Sequence, residues 1–265
     1  MALTTHVFGS DSPDAPTVLA IHGLTGHGRR WESLAADHLA QVRVLAPDLL
    51  GHGSSPWVPP WSMEQHVESL LELVDEFIPP EARPFVIAGH SFGGALAVRL
   101  AQRLGDDAAG LVLLDPAQGL DPAWALEVAT DSLAHWHYAD ADDARRAKRE
   151  EGWADIPDEL LDKEIDLHLM ESGTGRVAWR VSAPAAATAW SEMSRPATLP
   201  PRGLPTTVVV ADRVDPPFVR PDFLEACARD RADSVEVVHV DCGHMVPYLE
   251  PESTARAILA MTDRV

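Results

Sequence analysis

One short run has residue types and spacing suited to chemistry: Gly89-His90-Ser91-Phe92-Gly93. In a G-x-S-x-G pattern a strand turns sharply into a helix, and the serine stands at the apex of the turn. The glycines follow from geometry, because side chains two residues before and after such a serine would strike neighbouring main chain. A serine hydroxyl is a poor nucleophile near neutral pH unless a base takes its proton, so a working Ser91 requires a histidine. Of the 12 histidines, His244 is the best placed. It follows the last predicted strand, where a loop can carry an imidazole across to Ser91 and Gly243 frees the backbone to aim it.

An imidazole in that role needs a carboxylate to set its tautomer and stabilise its charged form. Two aspartates follow the apolar run 206–211, Asp212 and Asp215. Asp215 is the expected partner because it lies on the loop beyond the strand, whereas Asp212 adjoins the strand end. Asp115, at the end of another strand, is a third acidic residue that could accept from the imidazole or serve the structure alone. A developing oxyanion also needs donors. The backbone amide of Phe92, directly after Ser91, is one. Leu24, in the glycine-rich stretch His22-Gly23-Leu24-Thr25-Gly26-His27-Gly28, is the other, with His22 and His27 expected to brace that loop.

These residues must be positioned by a scaffold, and the pattern between them specifies one. Short apolar runs bounded by breakers at 17–23, 42–48, 84–90, 110–116, 206–212 and 234–241 read as buried strands, with 5–8 as an added edge strand. Helical patterns fall at 30–40, 62–78, 92–104, 223–230 and 251–261; in the third of these Leu96, Leu100 and Leu104 recur every fourth residue. Strands alternating with helices predict an α/β fold, a mostly parallel sheet flanked by helices with chemistry at the carboxyl ends of its strands. Residues 117–200 break the alternation. They show no convincing strand and four helical stretches, at 122–137, 142–151, 157–170 and 176–193. So long an insertion reads as a helical cap over the catalytic edge, leaving 1–116 and 201–265 as the core. Its five tryptophans, Trp124, Trp136, Trp153, Trp179 and Trp190, are expected mainly to pack the cap, with one or two lining a pocket. Its acidic residues, at 140–143 and 158–166, read as a solvated face.

Bulk properties restrict the partners. A net charge of -20 over 265 residues repels polyanions, which argues against nucleic acid and anionic membrane surfaces and leaves a small-molecule substrate. No stretch has the signature of a signal peptide or reaches the roughly 18 apolar residues of a membrane span, so a cytoplasmic protein without membrane insertion is expected. Cys227 and Cys242, the 2 cysteines, lack metal-ligand spacing and read as reduced thiols.

Taken together, His22-Gly23, the run Pro47-Asp48-Leu-Leu-Gly51-His52-Gly53-Ser54, the elbow GHSFGG, Asp215 and Gly243-His244 resemble the α/β-hydrolase superfamily, in its capped, esterase/lipase-like serine hydrolase branch. The resemblance covers almost the whole chain outside 117–200, with the order nucleophile, acid, base typical of that family. It departs at Asp212, where the family often has glycine. The resemblance implies a two-step acyl transfer with no metal or organic cofactor, acting on a carboxylic ester, thioester or lactone of small to medium size and partly apolar character. Residues expected to meet the substrate are His22, His90, Trp124, Trp136 and Met245. A carbon-carbon bond hydrolase of ring-cleavage products is the alternative, with a cofactor-free perhydrolase or haloperoxidase beside it; a non-enzymatic ligand receptor is the alternative of another class. Serine rather than aspartate at the elbow separates the chain from epoxide hydrolases and haloalkane dehalogenases.

Overall fold

Alternation along a strand sends successive side chains to opposite faces of a sheet, and in this chain both faces are buried. The computed structural model describes residues 2–173 and 175–264. In chain order its elements are β1 (Thr5–Gly9), β2 (Thr17–Ile21), α1 (Glu32–His38), β3 (Arg43–Pro47), α2 (Met63–Phe77), β4 (Phe85–His90), α3 (Phe92–Leu104) and β5 (Ala108–Leu114). There follow α4 (Pro122–Ala134), α5 (Ala141–Lys148), α6 (Asp158–His168), β6 (Leu169–Glu171), β7 (Val177–Trp179) and α7 (Ala183–Met193). The chain ends with β8 (Thr206–Ala211), α8 (Pro221–Asp230), β9 (Val235–Val240), α9 (Val246–Leu249) and α10 (Pro251–Thr262).

Seven strands form one sheet in the order β1-β3-β2-β4-β5-β8-β9, all parallel except β1, which runs antiparallel to β3 at the edge. Leu19, Ile21, Phe85, Ile87, Leu111, Leu113 and Val208 point to one face and join Leu70, Leu73, Leu96 and Leu100 from α2 and α3. Val18, Ala20, Val86, Ala88, Val112, Leu114 and Val209 point to the other and join Leu34, Ile258 and Met261 from α1 and α10. Each large apolar side chain removed from water in these layers contributes roughly 1.5–3 kcal/mol, so the sheet is a rigid platform for the loops at its carboxyl edge. Cys227 and Cys242 are free and buried. Among the described residues no helix is long and apolar enough to cross a membrane.

The segment between β5 and β8 differs from expectation in one respect. Besides α4, α5, α6 and α7 it holds a short antiparallel hairpin, β6 with β7, where no strand was expected. The pairing is only three residues long on each side, too short for periodicity to register, and it is extended by a bridge between Tyr138 and Val177. The hairpin is docked on the core by the loop after β3: the Gly53 amide donates to the Arg180 carbonyl at 2.8 Å, and the Ser182 amide to the Gly51 carbonyl at 2.8 Å. That loop is held in turn by Asp48, whose carboxylate accepts from the amides of Gly28 and Ser54, both at 2.8 Å. Burial would raise the Asp48 carboxyl, but His6 and those two amides hold it well below the usual carboxylate range.

The turn from β4 into α3 is the tightest point of the scaffold. A Cβ at Gly93 would lie 2.3 Å from the Ile21 carbonyl oxygen and 2.5 Å from that of His22, and a Cβ at Gly89 would lie 2.4 Å from the Gly93 carbonyl oxygen. These are main-chain atoms that cannot rotate away. Replacing Gly93 by alanine should therefore cost about 2–3 kcal/mol in urea unfolding. Gly173→Ala, where a Cβ meets nothing within 4 Å, should stay within about 0.5 kcal/mol of the parent.

Candidate active site

Ser91 follows β4 and caps α3 with φ 53° and ψ -121°, a left-handed conformation that a non-glycine residue adopts only when its surroundings impose it. Hydrogen bonds fix the turn: the Ser91 amide donates to the Leu114 carbonyl at 3.0 Å, and the Ser91 carbonyl accepts from Ala117 and Gly94 at 3.0 and 2.9 Å. A serine at a helix N-cap ordinarily uses its hydroxyl to accept from the first turn. Here the side chain makes no such bond and turns instead to His244, whose Nε2 lies 2.9 Å from Ser91 Oγ.

The other imidazole nitrogen, Nδ1, donates to Asp115 Oδ2 at 2.5 Å. This corrects the expectation for Asp215. Asp215 is exposed, and its carboxylate has no hydrogen bond or ion pair to another described residue. Asp212 is exposed as well and pairs with His239 at 2.7 Å. The cause is the direction of each loop. After β8 the chain turns outward, and it returns to the site only with Phe218, whose ring centroid is 4.1 Å from that of His244. Asp115 instead follows β5, the strand beside the one that ends at Ser91, and a left-handed backbone, φ 43°, turns its side chain along the sheet edge. It is 1% exposed, and its other oxygen accepts from the Ala211 amide at 3.2 Å. An imidazole whose Nδ1 proton is committed to a carboxylate keeps Nε2 free to accept the serine proton, which is the arrangement of an activated nucleophile.

Two amides border the serine without a protein acceptor among the described residues, those of Phe92 and Leu24. Gly23 abuts Ser91 so closely that a Cβ there would lie 2.9 Å from Ser91 Cβ. His22, expected to meet the substrate, does not line the cavity. It is a buried brace: Nδ1 donates to the Gly23 carbonyl at 2.7 Å and Nε2 accepts from the Leu49 amide at 2.9 Å. Burial, with His52 beside it, lowers its pKa well below the usual imidazole value and keeps it neutral. His90 does border the cavity, and its Nε2 donates to the His244 carbonyl at 2.8 Å, which fixes the loop that carries His244.

Ser91 and His244 open on a cavity of about 350 Å³. Trp124, Trp136 and Met245, expected to meet the substrate, line it together with Leu24, and so do Trp153, Trp179 and Trp190, so all five tryptophans of the insertion face it. They also pack there: Trp124 lies against Trp190 and Phe218, and Trp179 against Tyr138. Below this wall sits a charged cluster that sequence reasoning missed. Glu164, counted among solvated acidic residues, is 2% exposed and takes bonds on both oxygens from Arg30 Nε, at 3.2 and 3.1 Å, with His27 at 3.0 Å. Arg30 also donates to the Thr25 carbonyl at 3.0 Å, so the loop bearing Leu24 is tied to α6. Burial alone would raise the Glu164 carboxyl; Arg30 and then His27 hold it well below the usual range. Its i to i+3 relation to the buried Leu161 was the one available signal.

Comparison with known proteins shows the family to which this fold belongs. A sequence profile of the alpha/beta hydrolase family matches residues 18–257. Lipase LipV of Mycobacterium tuberculosis is 43% identical over 260 residues, covering 97% of each chain. Among solved structures, the thioesterase domain from the curacin biosynthetic pathway superposes with a TM-score of 0.75 at 24% identity, covering 96% of this chain and 94% of that one. E-2-(acetamidomethylene)succinate hydrolase superposes with a TM-score of 0.79 at 20% identity, covering 98% and 95%. At those identities the two structures speak for the fold alone.

The two aspartates separate by reactivity. Labelling of Ser91 by a fluorophosphonate should slow roughly 10³-fold or more in Asp115→Asn, where the tautomer is no longer held, and should be unchanged in Asp215→Asn.

Proposed function

This chain belongs to the alpha/beta hydrolase family and is an ester-hydrolysing enzyme, and from that premise we propose that it cleaves carboxylic ester, thioester or lactone bonds with Ser91 as nucleophile, His244 as its base and Asp115 positioning the imidazole. The observation that carries the reading is the unbroken chain from Asp115 Oδ2 through His244 to Ser91 Oγ, at 2.5 and 2.9 Å. Ser91 Oγ attacks the carbonyl carbon while its proton passes to His244 Nε2. The amides of Leu24 and Phe92 donate to the resulting oxyanion, and the dipole of α3 favours the same negative charge. The bond from the carbonyl carbon to the leaving group, carbon-oxygen in an ester or lactone and carbon-sulfur in a thioester, then breaks, and His244 returns the proton to that group. A water that gives its proton to His244 attacks the acyl-serine, and the carboxylic acid departs as Ser91 Oγ regains a proton.

Residues 117–200 serve as a cap that encloses the substrate above the sheet edge. A cavity of about 350 Å³ walled by tryptophan suits a small to medium, partly apolar molecule. Turnover of p-nitrophenyl esters of rising chain length tests the assignment. The parent enzyme should release p-nitrophenol and take a fluorophosphonate label; Ser91→Ala should lose the label and fall by a factor of about 10⁴ or more in kcat/KM. A folded protein that turns over no ester in the series and takes no label would overturn the reading.

A further inference from the structure

Of the charged side chains that border the cavity, Arg30, Asp131, Glu151 and Lys148, only Lys148 is both buried and without an ion pair or hydrogen bond among the described residues; Arg30 pairs with Glu164, and Asp131 and Glu151 are exposed. Lys148, the last residue of α5, is 3% exposed, and it borders the same space as Ser91 and His244. Its Nζ lies 4.5 Å from the ring centroid of Trp179 and 5.0 Å from that of Trp153. Among the described residues no group accepts a hydrogen bond from it and no carboxylate forms an ion pair with it. The two nearby acids are occupied elsewhere. Glu164 is claimed by Arg30 and His27, and Glu151 is exposed and accepts from the Tyr138 hydroxyl at 3.4 Å. Arg30 and Glu164 neutralise one another, which leaves Lys148 as an uncompensated cation within the buried cluster.

Lysine is almost never fully buried without a partner, because an ammonium taken out of water needs its charge and its three N–H groups answered. The two indole faces offset part of the charge. They leave the N–H donors without lone pairs to point at. Burial, followed by Arg30, draws the Lys148 pKa down to about 8, so at neutral pH the group is still mainly an ammonium. The missing element is an anion small enough to enter the cavity, with its remaining atoms against tryptophan.

We propose that Lys148 is the recognition site for a carboxylate carried by the substrate, so that the preferred esters are monoesters of dicarboxylic acids rather than uncharged esters. The proposal rests on the reading of Ser91 as the nucleophile of an ester hydrolase. A charge-assisted contact of this kind changes preference by about tenfold or more.

Monomethyl esters of the dicarboxylic acids from succinate to suberate, each measured beside its dimethyl ester by proton release, read that preference. In the parent enzyme the best monoester should exceed its own diester about tenfold in kcat/KM. In Lys148→Met the ratio should fall to about one, mainly through KM, and Lys148→Arg should keep much of it. Preference for the diesters throughout, or a ratio unchanged in Lys148→Met, would overturn the proposal. Calorimetric titration of the same monoesters into Ser91→Ala and into Ser91→Ala with Lys148→Met separates binding from turnover. Affinity about tenfold weaker in the double variant supports the site even if the parent enzyme hydrolyses nothing, a result that would sink the hydrolase reading alone. Equal affinity in the two proteins, or no binding to either, rejects the carboxylate site.

Discussion

The hydrogen bond between the sealed carboxylate of Asp115 and the half-buried imidazole of His244 is the constraint around which the carboxyl edge of the sheet is arranged. Asp115 sits at the end of β5, 1% exposed, while His244 follows β9, two strands further along the sheet. A carboxylate sealed from water is costly unless its oxygens are answered. The Ala211 amide answers one oxygen, and only an imidazole reaching back over β8 answers the other. That demand helps fix the loop from β9, which the His90 side chain then anchors through the His244 carbonyl. Ser91 is the third member because β4 is the neighbour of β5, and its strained turn directs the hydroxyl at the free face of the same ring.

A second set of bonds joins the sheet edge to the insertion. Asp48 holds Gly28 and Ser54, and the main chain at Gly51 and Gly53 pairs with that of Ser182 and Arg180. Arg30 bridges the Thr25 carbonyl and Glu164. The backbone that lends Leu24 to the site is therefore braced both by the core and by α6. A buried ion pair adds little net stability over an apolar contact of the same size, but breaking one leaves a stranded charge. Such a pair selects a single placement of the insertion over Ser91.

The alternation of apolar runs and helical patterns carried the sheet, its order of elements and the turn at Ser91, because each of those depends on local periodicity and on glycines that have no substitute. His244 was legible for the same reason, as a histidine behind glycine after the last strand. The choice of carboxylate was not, since three aspartates stand near strand ends and the direction of a loop is a tertiary property. A clue did exist. Asp115 continues into the buried residues Pro116 and Ala117, whereas Asp215 stands among exposed neighbours, Asp212, Arg213 and Pro216. An aspartate within an apolar run must find an internal partner; one within a polar run can use water.

The insertion was the least legible part, for a reason that bears on specificity. In Ala144-Arg145-Arg146-Ala147-Lys148-Arg149-Glu150-Glu151 the charges look alike, and composition does not separate one from another. Arg145 and Arg149 do meet Asp162 and Asp158, both exposed at the surface. Lys148 is set apart only by its angular position on α5, which points it inward with Ala144, four residues earlier and fully buried. Once inside, it meets Trp153 and Trp179, residues that could as well have closed an apolar core. Rings supply shape and area but little polar discrimination, and Arg30 beside them is already paired with Glu164, so Lys148 is the buried charge there that no described residue answers; the proposed preference for a charged ester rests on that difference.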